Sequence, residues 1–494
     1  MNTSIIVTVL NLLGTILSFA VNLLIAAKFG AGKEMDVFVA AIAVPVFISA
    51  FMTGSIGFVL VPVLSEYQIH KSDKINDVIN SFINLSILVS LVVCVGAEIC
   101  AHGIMKTVSP GFDSDKLTLA VKILRLSLPI LVFNVVSDVI SNVGYARERF
   151  YVPFIGKIIA PLLTIFGIYC FSGELGSASI ALSMLLSSIL QAIWIISKYI
   201  RSGDLTYKLV MRVSEPGLVK ILKLMLPLVL GMSVYRAIPL YDRMILSLLP
   251  DGQMSIFNYS SMIVFAVTPL LVTGLSTTIF PKMSRIISLH MYDQYKIMIE
   301  GVIIIILVVT APLMIIFYFH SEEIVRLLFM RGRFDLETVH MLSSVLALHS
   351  LILFPVGVGT ILGQCLYSLQ KSRTAALLGL LESIVYMIIC YPFARTFGLK
   401  GLLFATIIDW YLSVGLSTFA ISRFINWNIS NLCSVLVQVG VITLGAVSIA
   451  YTCSQLHISF MVGIIFIFIT FYLGVRFFKV DKKIMSMCSI MDSL

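Results

Sequence analysis

Long apolar runs dominate this chain of 494 residues. A helix that spans a bilayer needs about 20 mostly apolar residues, and it must satisfy its own backbone because hydrocarbon offers no hydrogen-bond partner. Runs of that kind recur from one end of the sequence to the other, with short loops between them. They predict about fourteen spanning helices, near residues 5–28, 37–64, 77–104, 119–145, 151–171, 177–198, 219–249, 255–281, 298–319, 339–369, 374–394, 401–421, 431–453 and 458–478.

The composition supports a membrane protein. Hydrophobic residues make up 59% of the chain and charged residues only 12%, whereas soluble domains hold about 45–50% and about 25%. Too few polar residues remain to cover a water-exposed surface, which excludes a soluble globular protein, a disordered chain and a nucleic-acid binder. The predicted fold class is therefore an all-α polytopic membrane protein.

Lysine and arginine are distributed unevenly between alternate loops. One side of the predicted bilayer collects about twenty of them, including the basic connector 199–217, and the other side about nine. Positive residues concentrate in cytoplasmic loops. The sequence therefore predicts a multi-pass protein of the cytoplasmic membrane, with both termini in the cytoplasm.

An internal repeat divides the predicted helices into two halves. Three short matches share an offset of 219–220 residues: Met35-Asp-Val-Phe38 with Met254-Ser-Ile-Phe257, Thr53-Gly54 with Thr273-Gly274, and Pro62 with Pro281. Six helices per repeat imply two parallel lobes, an arrangement typical of alternating-access transporters. We predict a first lobe at 1–198, a basic linker at 199–217, a second lobe at 218–425, and two further helices with a tail at 426–494.

Polar side chains follow helical spacing in three helices of the first half, and such residues are costly in hydrocarbon. They lie at Asn11, Thr15, Ser18 and Asn22 in helix 1, at Asn76, Asn80 and Asn84 in helix 3, and at Asn134, Asp138 and Asn142 in helix 4. They either hydrogen-bond neighbouring helices or line a shared hydrated cavity. Amides and hydroxyls both donate and accept, which suits sugar hydroxyls.

Charged residues in the second half concentrate in predicted helix 7, which holds Arg236, Asp242 and Arg243. Arg236 lies 13 residues beyond Lys223, about 20 Å of helical rise. A guanidinium at that depth either holds a phosphate bidentately or pairs with Asp242 or Glu382. Asp242 is alternatively a cation ligand, and His349 and Glu382 are candidate proton carriers.

The sequence has no catalytic motif of the hydrolase or P-loop type, and its eight cysteines form no CxxC pair. We therefore expect no enzyme activity and no cofactor. Energy for transport is expected from a Na⁺ or H⁺ gradient or from the membrane potential.

Several short motifs resemble the MurJ (MviN) family of lipid II flippases. They are Phe29-Gly-Ala-Gly32 with Asp36-Val-Phe and Pro45, Val61-Pro-Val-Leu-Ser-Glu-Tyr67, Ser109-Pro-Gly-Phe112, Arg149-Phe-Tyr-Val-Pro153, Phe280-Pro-Lys-Met-Ser284, Phe329-Met-Arg-Gly-Arg-Phe-Asp335 and Gly398-Leu-Lys-Gly-Leu-Leu-Phe-Ala-Thr406. The resemblance covers about residues 1–425.

The resemblance implies a flippase of the multidrug/oligosaccharidyl-lipid/polysaccharide exporter superfamily. Its substrate would be an undecaprenyl-pyrophosphate-linked saccharide, with helices 13 and 14 forming a groove for the lipid tail. A monomer in contact with the envelope-synthesis machinery is expected. By position, Asp242 and Thr406 match a sodium site, and Ser261 falls where the family has a cavity arginine. The substrate-binding set predicted from stripes and resemblance is Asn22, Asn134, Asp138, Asn142, Arg236, Arg243 and Ser261.

Other family positions differ. The two helix 1 arginine positions are occupied here by Thr15 and Val21, and the helix 2 position falls near Ser49 or Ala50. A flippase for an O-antigen or capsule repeat unit is therefore a second hypothesis. A cation-coupled exporter of small molecules, a membrane-embedded transferase and a non-transporting scaffold are further alternatives.

Overall fold

The structure is a computed structural model that describes residues 3–70, 74–203, 206–455 and 460–493. These described residues form eighteen α-helices and no strand. Large apolar side chains remain exposed along the helices, for example Val92 (64%), Ile388 (67%) and Leu444 (67%). An exposed apolar surface along long helices is typical of contact with lipid, and eleven described helices are long and apolar enough to cross a membrane. The predicted all-α membrane class is confirmed.

The predicted number of fourteen spans is not confirmed. Within the described chain, eleven helices are long and apolar enough to cross a membrane, and twelve if the bent helix Pro216–Leu246 counts as one span. Each of the fourteen predicted segments lies mostly on helix over its described residues. Segments 374–394 and 401–421 belong to one helix of 54 residues, interrupted at Gly398, whose φ of 59° is non-helical.

The chain divides into two compact units. Unit 1 comprises Met1–Ser255 and Arg331–Phe334. Its helices are α1 (Thr3–Phe29), α2 (Lys33–Thr53), α3 (Ile56–His70), α4 (Ile75–Ile99), α5 (Ala101–Val108), α6 (Ser114–Ala146), α7 (Tyr151–Leu175), α8 (Ala178–Arg201) and α9 (Pro216–Leu246). Its core joins α3, α4, α6 and α9 through the buried side chains of Leu60, Val78, Leu131 and Ile221.

Unit 2 comprises Ile256–Met330 and Asp335–Leu494. Its helices are α10 (Gln253–Ser288, which begins in unit 1), α11 (Tyr292–Phe319), α12 (Ser321–Phe329), α13 (Leu336–His349), α14 (Leu353–Ser368), α15 (Ser372–Ile425), α16 (Ser430–Gln455), α17 (Phe460–Phe477) and α18 (Val480–Ser493). Buried Met283, Val302, Ile361 and Ile421 form its core.

The last helix, α18, lies in the region that the sequence predicted as a tail. Its Met487 is 2% exposed and packs on Gly301 of α11. The prediction missed this helix because it has only 14 residues and contains no apolar run long enough to span. The predicted domain boundaries and the lipid-tail groove at 426–494 stay predictions.

The repeated motif brings its two copies together at one point within unit 1. The Asp36 carboxylate is 4% exposed and accepts hydrogen bonds from the backbone N–H groups of Gly252 (2.6 Å) and Ser255 (2.7 Å). Ser255 is the residue that matches Asp36 in the repeat. Asp36 of α2 therefore caps the first turn of α10. Its carboxylate accepts from N–H donors that a helix start leaves unsatisfied. The side chains of the matching pair Thr273-Gly274 lie outside the described residues.

Candidate functional site

The polar stripe of α6 lies on the side of that helix that unit 1 does not bury. Asp138 is exposed and Asn134 and Asn142 are half-buried, while Val135 and Val139 on the opposite face are each 1% exposed. The Asn142 amide donates to the backbone oxygen of Asp138 at 2.8 Å. The three predicted residues thus form a polar face outside the core of unit 1.

A break in the predicted second helix lies against this face. Helix α2 ends at Thr53 and α3 begins at Ile56, so Gly54 and Ser55 interrupt the span. The Asp138 carboxylate hydrogen-bonds to Thr53. A Cβ at Gly57 would lie 3.0 Å from Asn142 Oδ1, so α6 and α3 approach closely here. Tertiary contacts therefore bring Asp138 and Asn142 to the interrupted helix.

Arg236 of α9 reaches the same break. Its Nη1 donates to the Ala50 carbonyl at 2.6 Å, in the last turn of α2. A Cβ at Gly54 would overlap the guanidinium, so glycine at this position makes room for the arginine. The C-terminal end of a helix carries partial negative charge, which a cation stabilises. The sequence left two roles open for Arg236, a phosphate contact and an ion pair with Asp242 or Glu382. The structure shows a contact that neither role included, with the carbonyl at the end of α2.

Lys157 of α7 is a charged residue at this site that the sequence analysis missed. Its Nζ lies 3.5 Å from Asn11 Oδ1 of α1 and 4.9 Å from the centroid of the Phe154 ring, and its charge interacts with that of Asp138. A lysine seven residues into the apolar segment 151–171 is a detectable signal in the sequence. The count of positive residues that predicted the topology included loops only, and Lys157 lies inside a helix.

The stripe of helix 1 has a local explanation in part. Thr15 Oγ1, Ser18 Oγ and Asn22 Nδ2 each donate to the backbone oxygen four residues earlier. Asn22 is half-buried. These bonds pair both hydroxyls and one amide N–H of Asn22 with the backbone of the same helix.

Two residues of the stripe of helix 3, now α4, do not line a cavity, so that interpretation is wrong for them. Asn80 and Asn84 are 2% and 8% exposed, and they bind the backbone of the linker. Asn80 donates to the Thr206 carbonyl at 2.9 Å and accepts from the Lys208 N–H at 3.1 Å. Asn84 donates to the carbonyls of Lys208 and Val210.

We define Asp77, Asn80, Ser81 and Asn84 of α4 as the linker clamp, which makes three further contacts. The Tyr207 hydroxyl of the linker donates to Asn84 Oδ1 at 2.7 Å. Ser81 Oγ accepts from the Arg212 N–H at 3.1 Å, and the Arg212 guanidinium pairs with Asp77 at 2.6 Å. Extended backbone leaves its peptide groups unpaired, and amide side chains satisfy both donors and acceptors. The described part of the linker is therefore fixed to unit 1.

Asp242 and Arg243 lie near the end of α9, and both are half-buried. Thr406, the second predicted sodium ligand, belongs to unit 2. Its hydroxyl donates to the Leu402 carbonyl at 2.9 Å and lies 3.5 Å from the hydroxyl of Tyr386. Among the described residues, no group of three or more His, Cys, Asp or Glu side chains could hold a metal ion. The partial sodium site stays a prediction.

Other polar residues of unit 2 have packing partners. Ser261 Oγ donates to the Phe257 carbonyl at 2.8 Å. His349 is 1% exposed, its Nδ1 lies 2.9 Å from Ser260 Oγ, and its ring stacks on Phe257. Glu382 hydrogen-bonds to Ser413 of the same helix. A proton-carrying role for His349 or Glu382 stays a prediction.

The family described as "Lipid II flippase MurJ" matches residues 25–471. Among curated relatives, a "Probable lipid II flippase MurJ" of Buchnera aphidicola subsp. Baizongia pistaciae is 26% identical over 373 residues, 74% of this chain and 72% of the relative. One of Vibrio cholerae is 25% identical over 432 residues, 84% of this chain and 82% of the relative.

Solved structures share the fold. "Lipid II flippase MurJ, inward closed conformation" superposes with a TM-score of 0.83 at 20% identity and covers 97% of this chain and 99% of that chain. An inward-facing multidrug resistance MATE family transporter reaches a TM-score of 0.63 at 13% identity, over 86% of this chain and 98% of that chain. The sequence match extends over most of the chain and through both predicted lobes. The chain belongs to the MurJ family of lipid II flippases.

Proposed function

We propose that this protein carries a lipid II-like precursor, an undecaprenyl-pyrophosphate-linked saccharide, from the inner to the outer leaflet of the bacterial cytoplasmic membrane. The observation that carries the proposal is the family match over residues 25–471. Transport of this kind makes and breaks no bond in the substrate, so the protein acts without enzyme chemistry. Both termini lie in the cytoplasm, in agreement with the lysine and arginine bias of the loops.

The open polar face of unit 1 suits this substrate. Asn134, Asp138 and Asn142 lie on the side of α6 that the core leaves accessible. Amide groups donate and accept, and a carboxylate accepts, so together they match the hydroxyls of a saccharide. Asn22, Arg243 and Ser261 belong to the same proposed substrate-binding set on sequence grounds.

Arg236 contributes a phosphate contact in this proposal. Its guanidinium reaches Ala50, next to the position where the family pattern has a helix 2 arginine. Helix α9 thus places a cation beside α2, which has no arginine at that position. Guanidinium groups bind phosphate bidentately, which supports Arg236 as the substitute. Asp242 and Thr406 are proposed to bind the coupling Na⁺; coupling to H⁺ or to the membrane potential is the alternative.

The experiment is depletion of the protein in its host, followed by leaflet-resolved analysis of undecaprenyl-linked intermediates. We expect lipid II to accumulate in the inner leaflet. Accumulation of an O-antigen or capsule unit instead would favour the second hypothesis, which Thr15 and Val21 at arginine positions support. No accumulation of any lipid-linked saccharide would refute the flippase proposal and leave the exporter, transferase and scaffold alternatives.

Arg236 is tested separately. Replacement of Arg236 with Gln removes the charge and keeps a side chain that can donate to Ala50, so export should fall while the fold persists. The matched control is Arg125→Gln, because Arg125 lies on the exposed surface of the same unit and pairs with Glu98 at 3.4 Å. Export at the wild-type rate by the Arg236 variant would contradict its assignment as a phosphate contact.

A further inference from the structure

Lys157 stands in a costly position. It is the seventh residue of α7, a span with a mean hydropathy of 1.9, about 9 Å of helical rise from its first residue. A charged residue inside a span is costly, so it normally faces a partner or a water-filled space.

Helix packing turns Lys157 toward the polar face of unit 1. Helices α1 and α7 pack against each other, and a Cβ on Gly14 of α1 would lie 3.2 Å from the Cβ of Lys157. Glycine at this crossing lets the lysine pass close to α1. The side chain then continues to Asn11, with its Nζ 3.5 Å from Oδ1.

The ammonium group has little to bind. It carries three donors and no acceptor, and within the described chain Asn11 Oδ1 is its one hydrogen-bond acceptor, at the outer limit of that distance. The Phe154 ring, which itself lies 6.4 Å from the ring of Tyr145, supports the ammonium from one side at 4.9 Å. Lys157 is nevertheless exposed at the polar face.

The charge of Asp138 interacts with that of Lys157, but Asp138 does not accept a hydrogen bond from the ammonium group. The two charges interact, but the Asp138 carboxylate hydrogen-bonds to Thr53 of α2, and no ion pair within 4 Å joins it to Lys157 among the described contacts. A ligand that brings its own anionic oxygens would therefore meet available donors, with a carboxylate nearby that limits how tightly it is held.

We propose that Lys157 and Asn11 form a binding site for the phosphate oxygens of an anionic lipid, which in this protein is the pyrophosphate of the transported substrate. Ammonium groups form short, charge-assisted hydrogen bonds with phosphate, and the Asn11 amide nitrogen adds two donors. The inference rests on the proposed function and adds to it: α7 supplies a second phosphate contact in unit 1, besides that of Arg236 on α9. Asp138 acts against binding of the phosphate group and so favours its release.

The test measures lipid binding to the purified full-length protein in phosphatidylcholine nanodiscs. The probes are undecaprenyl pyrophosphate, the uncharged undecaprenol, and phosphatidylglycerol. We expect Lys157→Gln to weaken undecaprenyl pyrophosphate about 10-fold, the loss of one charge-assisted hydrogen bond, and to leave undecaprenol unchanged. Lys157→Arg should restore binding. The control is Lys122→Gln, an exposed lysine of α6, which should bind as the wild type does.

A second variant gives an effect of opposite sign. Asp138→Asn removes the competing carboxylate and should tighten undecaprenyl pyrophosphate several-fold, and this gain should vanish in the double variant with Lys157→Gln. A merely structural role for Lys157 would weaken all lipids together and would not reverse at Asp138. Thermal unfolding of each variant confirms that the fold persists, and Lys157→Arg serves where Lys157→Gln does not fold.

Two results would overturn the site. One is equal binding of undecaprenyl pyrophosphate by Lys157→Gln and the wild type. The other is competition by phosphatidylglycerol as strong as that of undecaprenyl pyrophosphate, which would make the site a general contact for phospholipid. Failure of the proposed function has a different outcome: wild-type protein would bind undecaprenyl pyrophosphate through Lys157, yet its depletion would leave lipid II in the outer leaflet unaltered.

Discussion

Asp36 is the position at which a single small change should weaken unit 1 most directly. Its carboxylate accepts two short hydrogen bonds from the N–H groups of Gly252 and Ser255, and the side chain is 4% exposed. In Asp36→Asn one acceptor oxygen becomes an amide that faces an N–H donor. Leaving one buried backbone donor unsatisfied costs about 1–3 kcal/mol, and the loss of the charge weakens the bond that remains. We expect a total loss of about 2–4 kcal/mol.

The assay is thermal unfolding of the purified protein in detergent, on samples that elute as a monodisperse species. In a chain of 494 residues, a loss of that size should lower the Tm by about 2–4 °C. The control is Asp113→Asn. Asp113 also caps a helix start, by accepting from the Lys116 N–H at 2.8 Å, but it is exposed, and Asn caps almost as well as Asp. Equal Tm values for the two variants would refute the assignment of Asp36 as a buried cap.

Three further changes test the contacts of the described residues. Gly54→Ala should displace the guanidinium of Arg236 and reduce export as much as Arg236→Gln does. The double variant should lose no more, because both changes remove the same interaction; additive losses would argue against that shared interaction. Asn84→Ala removes two bonds to linker carbonyls and one from the Tyr207 hydroxyl, which should cost about 2–3 kcal/mol and speed tryptic cleavage of the linker. An unchanged cleavage rate would contradict the clamp. The side-chain and backbone hydrogen bonds from Thr338 hold the pKa of Asp335 below its usual value. The stabilisation from this cap is therefore full above about pH 4 and is lost as the pH falls through the lowered pKa. The Tm of Asp335→Asn should vary less between pH 3 and 6 than the Tm of the wild type.

Much of the fold could be predicted from the sequence, because lipid imposes a simple rule on it. A backbone in hydrocarbon must form helices, and the apolar length of each run then gives its position within a few residues. The helical stripe of α6 was predictable for the same reason, since residues three or four apart share a face. The breaks were not predictable: the run 37–64 contains the interruption at Gly54 and Ser55, whose residues remain compatible with a continuous span.

The roles of individual polar residues came only from the tertiary structure. The asparagines of α4 and α6 have the same type and spacing, yet Asn84 binds linker carbonyls while Asn142 stands at the open face. The difference depends on which chain segment lies opposite each helix, and periodicity contains no information on that.

Identity and site geometry therefore have different sources. The sequence by itself determined a membrane-embedded all-α protein and its family, because apolar length and short motifs are local properties. Only the tertiary structure decided that Arg236 meets Ala50, that Asp36 meets Ser255 and that Lys157 meets Asn11. Each of these contacts joins residues more than 140 positions apart, and their energies depend on distance and burial, which no single segment of the chain sets.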